Sequence, residues 1–378
     1  MKKMVCLLVA VLLTMSFTVV SAGSYDDVMK SATFSDLVVF KNADIGTYEM
    51  RGFTVSPDGK FAYCGLLQNT RSLKKYDIAA GKIVASYVND DNGYPKGISC
   101  DDRGYIYVGE VASAGKDLYA NIVVLDTEFK EIADVKITRE AVFGINGVSV
   151  TKRDGKYYVY VVLNYGPNAI ECYDVTDPKA PVMNSSFADN GVLDFKKLIG
   201  TESAEANYLD IDSDGTIYVG AKVDGTGSKG DHLVKISADG KSVISKCALS
   251  EAYGVELFED YVLVSTYNKT NSVVKVLNKS DLSEVTELAK DSQSSNYSGV
   301  VVINNTIYVS DQGFGGEGDR IIKSNVLDIV KETDDNITDE EDDGTKESPV
   351  TGESGVAVLA VLAVLSCCVI IGKKKKIN

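Results

Sequence analysis

The chain has no tryptophan and a single histidine, His232, in 378 residues. Metal sites built on several imidazoles are therefore excluded, and histidine-dependent catalysis would rest on one side chain. His232 follows Gly230-Asp231 at a strand entrance, where a surface-loop role is expected. Without tryptophan a sugar-binding site loses its best stacking surface, although 21 tyrosines remain. Between the apolar termini only Cys64, Cys100, Cys172 and Cys247 occur, widely spaced and without a CxxC pair. Neither a zinc ribbon nor a disulfide scaffold is written in that spacing, so buried free thiols are expected.

Positive charge is also scarce. The formal net charge is −15, and removal of the termini that carry Lys2, Lys3 and Lys373–Lys376 takes it to roughly −20. Such a chain does not bind nucleic acid through its general field, and it repels anionic lipid and teichoic acid. A monomer is expected.

What is present is repetition. Six segments align on one pattern of strand, tight turn and second strand. They begin Arg51-Gly52-Phe53, Lys96-Gly97-Ile98, Asn146-Gly147-Val148, Asn207-Tyr208-Leu209, Tyr253-Gly254-Val255 and Ser298-Gly299-Val300. Successive starts lie 45, 50, 61, 46 and 45 residues apart, the period of a four-stranded propeller blade. Glycines 52, 97, 147, 254 and 299 stand where innermost strands converge on a central channel, and Asp-Gly or Arg-Gly pairs supply the hairpin turns. Tyr63, Tyr107, Tyr158, Tyr218 and Tyr308 recur on the second strand and are expected half-buried between blades. The sixth unit runs out after Val326, while Ser35–Phe40 reads as a strand without a blade. It is expected to complete the last blade and close the ring. The fold class is thus all-β, a six-bladed β-propeller over residues 33–330.

Several stretches are similar to known propeller families. Tyr94-Pro95-Lys96-Gly97-Ile98 through Tyr105-Ile106-Tyr107-Val108 resembles an NHL repeat, Ser56-Pro57-Asp58-Gly59 the turn of YVTN-type surface propellers, and Tyr173–Pro181 an LVIVD repeat. These resemblances imply architecture and leave the ligand open, because the families bind proteins, RNA, glycans or small molecules.

Two functions fit one ring of residues. Arg51, Lys96, Asn146, Asn207, Tyr253 and Ser298 head the innermost strands and are expected to line one channel mouth. Two cations, two amides and an aromatic on an acidic protein suit a carboxylate, a peptide or a glycan, which makes the propeller a non-catalytic recognition or adhesion module. The alternative is a metal-dependent hydrolase. Asn146-Gly147 is similar to one metal-ligand position of the gluconolactonase propellers, and Asn207 could be another. Arg51 and Tyr253, however, stand where that resemblance wants anionic ligands, and Glu49 is out of register with them. Asp210-x-Asp212-x-Asp214-Gly215 matches the first half of a calcium loop, but Ala221 occupies the place of the closing Glu, so a plain hairpin is the expectation and calcium the weaker one. Asp224–Gly230 resembles a phosphate loop but has no following helix. Ala188–Ser203 lengthens one repeat and either frames a ligand or decorates the rim.

The termini speak of export and attachment. Lys2-Lys3, the apolar Met4–Val20 and Val20-Ser21-Ala22 form a signal peptide over residues 1–22. Nine of the seventeen residues 331–347 are acidic, which predicts a disordered, self-repelling stalk. Residues 348–378 then run Ser348-Pro349-Val350-Thr351-Gly352-Glu353, an apolar segment of sixteen residues (356–371) and Lys373–Lys376. Sixteen residues is the short limit for crossing a bilayer, and the lysines after it stay cytoplasmic. The layout resembles the LPxTG-type sorting signal of Gram-positive surface proteins. That resemblance implies a sortase that cuts between Thr351 and Gly352, with Pro349 in its motif, and a covalent bond from Thr351 to peptidoglycan. Ser348 stands where the common motif has Leu, which leaves the sortase class open. A type I membrane anchor is the other reading, and in a eukaryote Lys375-Lys376-Ile377-Asn378 fits a dilysine retrieval signal.

Overall fold

Each of the six repeats folds into one antiparallel sheet in this computed structural model. It describes residues 25–40, 50–66, 71–88, 93–111, 120–137, 144–164, 168–223, 230–268, 271–289, 296–312 and 318–329. Those residues belong to a unit spanning Met1–Val330. The signal peptide (1–22), the acidic stalk (331–347), the sorting signal (348–378) with its apolar segment (356–371), and Glu49 lie outside the described residues. Among the described residues no helix is long and apolar enough to cross a membrane.

The first blade contains β2 (Met50–Val55), β3 (Phe61–Leu66), β4 (Ser72–Asp77) and β5 (Lys82–Val88). The second contains β6 (Tyr94–Cys100), β7 (Ile106–Val111), β8 (Ala120–Leu125) and β9 (Glu131–Ile137). Blade three has β10 (Ile145–Arg153), β11 (Lys156–Leu163) and β12 (Ala169–Asp174), but its outer edge is split between β13 (Val182–Met183) and β14 (Val192–Asp194). The lengthened repeat continues into a one-turn helix, α2 (Phe195–Ile199), capped by Asp194. Blade four is β15 (Glu205–Ile211), β16 (Ile217–Lys222), β17 (His232–Ile236) and β18 (Val243–Ala248); blade five is β19 (Ala252–Phe258), β20 (Tyr261–Thr266), β21 (Val274–Asn278) and β22 (Glu284–Leu288).

Blade six supplies only β23 (Tyr297–Ile303), β24 (Thr306–Asp311) and β25 (Arg320–Ser324) from the end of the chain. Its outer strand is β1 (Phe34–Val39), paired antiparallel with β25. The orphan strand of the sequence therefore closes the ring, and β2 packs against β23. A short helix, α1 (Tyr25–Lys30), precedes β1; it buries Met29 and leads Asp26 to the Tyr261 hydroxyl at 2.8 Å.

The turns behave as their residue types require. Gly59 and Gly215 adopt φ of 72° and 91° in the Asp-Gly hairpins, and in the sixth blade Asn304-Asn305 takes over at 50° and 56°. The core is divided into six apolar clusters, and each one fills the seam between two neighbouring blades. The second-strand tyrosines sit deeper than half-buried: Tyr63, Tyr107, Tyr218 and Tyr308 are all buried, and only Tyr158 remains partly exposed. A phenol pressed between two twisted sheets contributes most when its whole ring leaves water.

Ring closure is polar as well as apolar. Arg320 donates from Nε to Asp311 Oδ2 at 2.6 Å, and the Asp311 carboxylate is fully buried. Removing one partner of a buried pair strands the other charge, which costs about 3–5 kcal/mol. Asp311→Ala is therefore expected to lower stability by that order in urea unfolding of the full chain. Glu128→Ala, which breaks an exposed pair with Lys130, is expected to leave the midpoint unchanged. Equal midpoints for Asp311→Ala and wild type would contradict a structural role for the closure.

Candidate functional site: the channel and its mouth

The innermost strand of each blade is a sheet edge, so its outward amides have no ladder partner. In all six blades the pairing of this strand with its neighbour slips by one residue at the same place. The slip places an extra residue at or beside Arg51, Lys96, Asn146, Asn207, Tyr253 and Ser298. A bulge re-aims the side chain it contains, and here it falls at the head of all six innermost strands.

The structure brings that predicted ring together but makes it a packed floor. Lys96, Asn146, Asn207, Tyr253 and Ser298 are buried, and Arg51 is half-buried. Arg51 Nη1 donates to the Tyr253 hydroxyl at 3.2 Å, and the guanidinium lies 4.9 Å from the Tyr267 ring centre. Tyr208, Tyr253 and Tyr267 form a run of rings with centres 4.8 Å apart at each step. Ser298 is committed to the closing seam, donating to Met50 O at 2.8 Å and touching Ser310 Oγ at 2.9 Å. Asn207 Oδ1 accepts from Asn164 Nδ2 at 3.3 Å, whereas its buried Nδ2, like Asn146 Oδ1, has no partner among the described residues.

Counted from Arg51, Lys96, Asn146, Asn207, Tyr253 and Ser298, the second residue of each innermost strand is glycine except in blade four. A Cβ on Gly147 would stand 2.8 Å from Tyr208 Cα and 2.9 Å from Asn207 O, so the next blade can approach only a glycine. The exception, Tyr208, crosses the channel and donates from its hydroxyl toward Arg51 O (3.2 Å) and Lys96 O (3.1 Å). One tyrosine thus spans the channel and bridges blades one and two from the opposite side.

The fourth residues are Thr54, Ser99, Ser149, Asp210, Glu256 and Val301, and all six line a small cavity of ≈ 60 Å³. Three of them reach an edge amide of the following blade. Ser99 Oγ accepts from Val150 N (3.1 Å), Asp210 Oδ2 from Leu257 N (2.8 Å) and Glu256 Oε1 from Val302 N (3.0 Å). Ser149 Oγ joins blade three to blade four through Asp210 Oδ1 at 2.7 Å. Burial pushes both carboxyls above their ordinary range. For Asp210 the bonds from Ser149, Leu257 and Ile211 oppose the rise, and for Glu256 the charge of Asp210 adds to it.

The remaining sequence candidates scatter. Asp210, Asp212 and Asp214 do not converge. Asp212 pairs with Lys279 at 3.1 Å, Asp214 accepts from Thr216 N within the hairpin, and Asp210 faces the channel. Among the described residues no three His, Cys, Asp or Glu side chains form a metal-ligating group. His232 belongs to β17 and is buried, with Nδ1 3.0 Å from Asp231 Oδ1, so its expected loop position is corrected to a strand start. The four cysteines are free; burial pushes the Cys100 thiol up to about 12 and Cys172 up to about 11. Most of the phosphate-loop-like stretch lies outside the described residues. The Ala188–Ser203 insertion does frame a concavity of ≈ 780 Å³ with Gly240 and Lys241 of blade four.

Sequence reasoning missed Glu256 and the bridging role of Tyr208. Both were visible by reading down columns of the alignment: a tyrosine among glycines, and five polar residues in a column of otherwise apolar strands.

No protein-family model matches the chain, and no curated protein matches it. In shape it is similar to the WD40 repeats of RRP9, with a TM-score of 0.49 and 11% identity over 77% of this chain and 97% of that one. It is also similar to the β-propeller domain of Cps50 (Swd1) from Myceliophteria thermophila, with a TM-score of 0.47 and 11% identity over 77% and 99%. The six-blade assignment rests on the sheets themselves.

Because the folded pKa of Glu256 lies above its unfolded value, the native state binds more protons between the two. Stability then falls as pH rises through that window. Glu256→Gln keeps an acceptor for Val302 N but removes the charge. In EDTA it is expected to melt above wild type at pH 8 and to flatten the loss of Tm between pH 5 and 8. A variant that melts lower with an unchanged slope would contradict this assignment.

Proposed function

We propose that this chain is a non-catalytic recognition module, displayed at a cell surface, whose ligand binds at the channel mouth. The observation that carries the reading is a pair of buried amide atoms, Asn146 Oδ1 and Asn207 Nδ2 on adjacent blades, that have no partner among the described residues. A buried polar atom without a partner costs about 1–3 kcal/mol, and a ligand bringing one donor and one acceptor recovers it. Arg51 and Lys96 head strands of the same ring and favour an anionic group. A peptide or glycan bearing a carboxylate meets all three demands. The same two cations oppose a divalent metal at the mouth, which is why recognition is preferred over lactonase-like hydrolysis.

Display follows from the sequence of the termini. The signal peptide exports the chain, the acidic segment 331–347 extends it, and the sorting signal hands Thr351 to a sortase for attachment to peptidoglycan.

The test is binding of the full chain to arrays of acidic peptides and of uronate- or sialate-bearing glycans, beside neutral controls. Asn146→Leu with Asn207→Leu is expected to cut the signal at least tenfold while leaving the melting temperature within a few degrees. Undiminished binding by the double variant would place recognition elsewhere. Mass spectrometry of wall-released protein is expected to end at Thr351; a C-terminus that retains Lys373–Lys376 would overturn the anchoring.

A further inference from the structure

The ring of fourth residues carries more negative charge than its structural work requires. Asp210 and Glu256 sit at the same register on neighbouring innermost strands and face one cavity. Asp210 is well used, with Ser149 Oγ and Ile211 N on Oδ1 and Leu257 N on Oδ2. Glu256 spends Oε1 on Val302 N, and its other oxygen makes no hydrogen bond among the described residues. The nearby cation, Lys279, is ion-paired with Asp212. Two carboxylates thus share a space walled by Ile98, Val148, Val255 and Val300, without an ion-paired cation among the described residues.

A second observation points to a ligand. Thr54 is only 7% exposed and lines the same cavity, yet its hydroxyl makes no hydrogen bond among the described residues. A hydroxyl that lines the same cavity as two carboxylates is an additional oxygen donor for whatever lies between them. The cavity of ≈ 60 Å³ exceeds the ~10–15 Å³ that one water needs, so it admits a small ion with a water or two. The donors are all oxygen, from Asp210, Glu256, Thr54, Ser99 and Ser149. That set suits a hard cation of the calcium class and not zinc, which prefers nitrogen and sulfur.

We propose that the channel below Tyr208 binds one calcium-class cation, held by Glu256 and Asp210 with the Thr54 hydroxyl. The site is distinct from the Asp210-Asp212-Asp214 turn motif and from the mouth, and it does not depend on the reading of the mouth as a ligand site. It makes the clasp between blades four, five and six a cation-supported one.

Terbium provides the test, because the chain has no tryptophan and Tyr208 lines the cavity. An ion in the channel is sensitised by tyrosine, and residues 331–378 contain no tyrosine of their own. The full chain is expected to show saturable, tyrosine-sensitised emission at one equivalent, displaced by calcium. Glu256→Gln is expected to weaken binding at least tenfold, and Thr54→Val, which touches no inter-blade bond, several-fold. Asp214→Asn is expected to change nothing. Melting temperatures of each variant in EDTA confirm that the fold survives. Emission that persists in Glu256→Gln, emission abolished by Asp214→Asn, or no calcium-displaceable emission in wild type would each overturn the proposal.

Discussion

Everything in this molecule depends on what is done with six unpaired sheet edges. Each blade ends inward on a strand whose outer amides have no ladder, and those edges meet around a channel too narrow for side chains on every strand. Glycine at the second residue lets the edges approach, and polar groups then clasp them across each seam. Ser99, Asp210 and Glu256 accept amides from blades three, five and six, and Ser149 reaches Asp210 in blade four. The Tyr208 hydroxyl bridges blades one and two. At the last seam the column holds Val301, and Ser298, Gln312 and Asp319 take over by bonding the backbone of Met50. The apolar clusters between blades supply the bulk of the stabilisation, while these bonds fix register at the axis.

The same arrangement divides the channel. Tyr208 lies across it, and of the mouth ring only Ser298 lines the cavity of the fourth residues. Above the tyrosine stand Arg51, Lys96 and two asparagines with unsatisfied atoms; below it stand two carboxylates and three hydroxyls. Positive and amide groups on one side, negative on the other, is a division that suits an anionic ligand at the mouth and a cation beneath.

Much of this was legible in the sequence because propeller repeats are local. Glycines 52, 97, 147, 254 and 299, the Asp-Gly turns and the stray strand at Ser35–Phe40 each specify a backbone feature, so they predicted the blades and their closure. That the six strand starts converge was legible for the same reason, by topology. Their burial was not legible, because the one-residue bulge at the head of each strand has no residue signature of its own. Side chains that act across seams were harder still. Glu256 looks like an ordinary polar residue in β19, and only its neighbour Asp210, 46 residues earlier in sequence, gives it meaning. Blade three departed because its outer edge is made by two short strands, with Ala188 and Asn190 at positive φ that neither residue type advertises.

Amide hydrogen exchange at Val150, Leu257 and Val302 tests the central claim most directly. If the fourth-residue side chains clasp the inner edges, these amides are protected to the level of the strand ladders beside them, such as Val161 in β11 and Val264 in β20. Exchange at the rate of open edge amides, while the ladders stay protected, would show that the blades are held by apolar packing alone and would contradict the account.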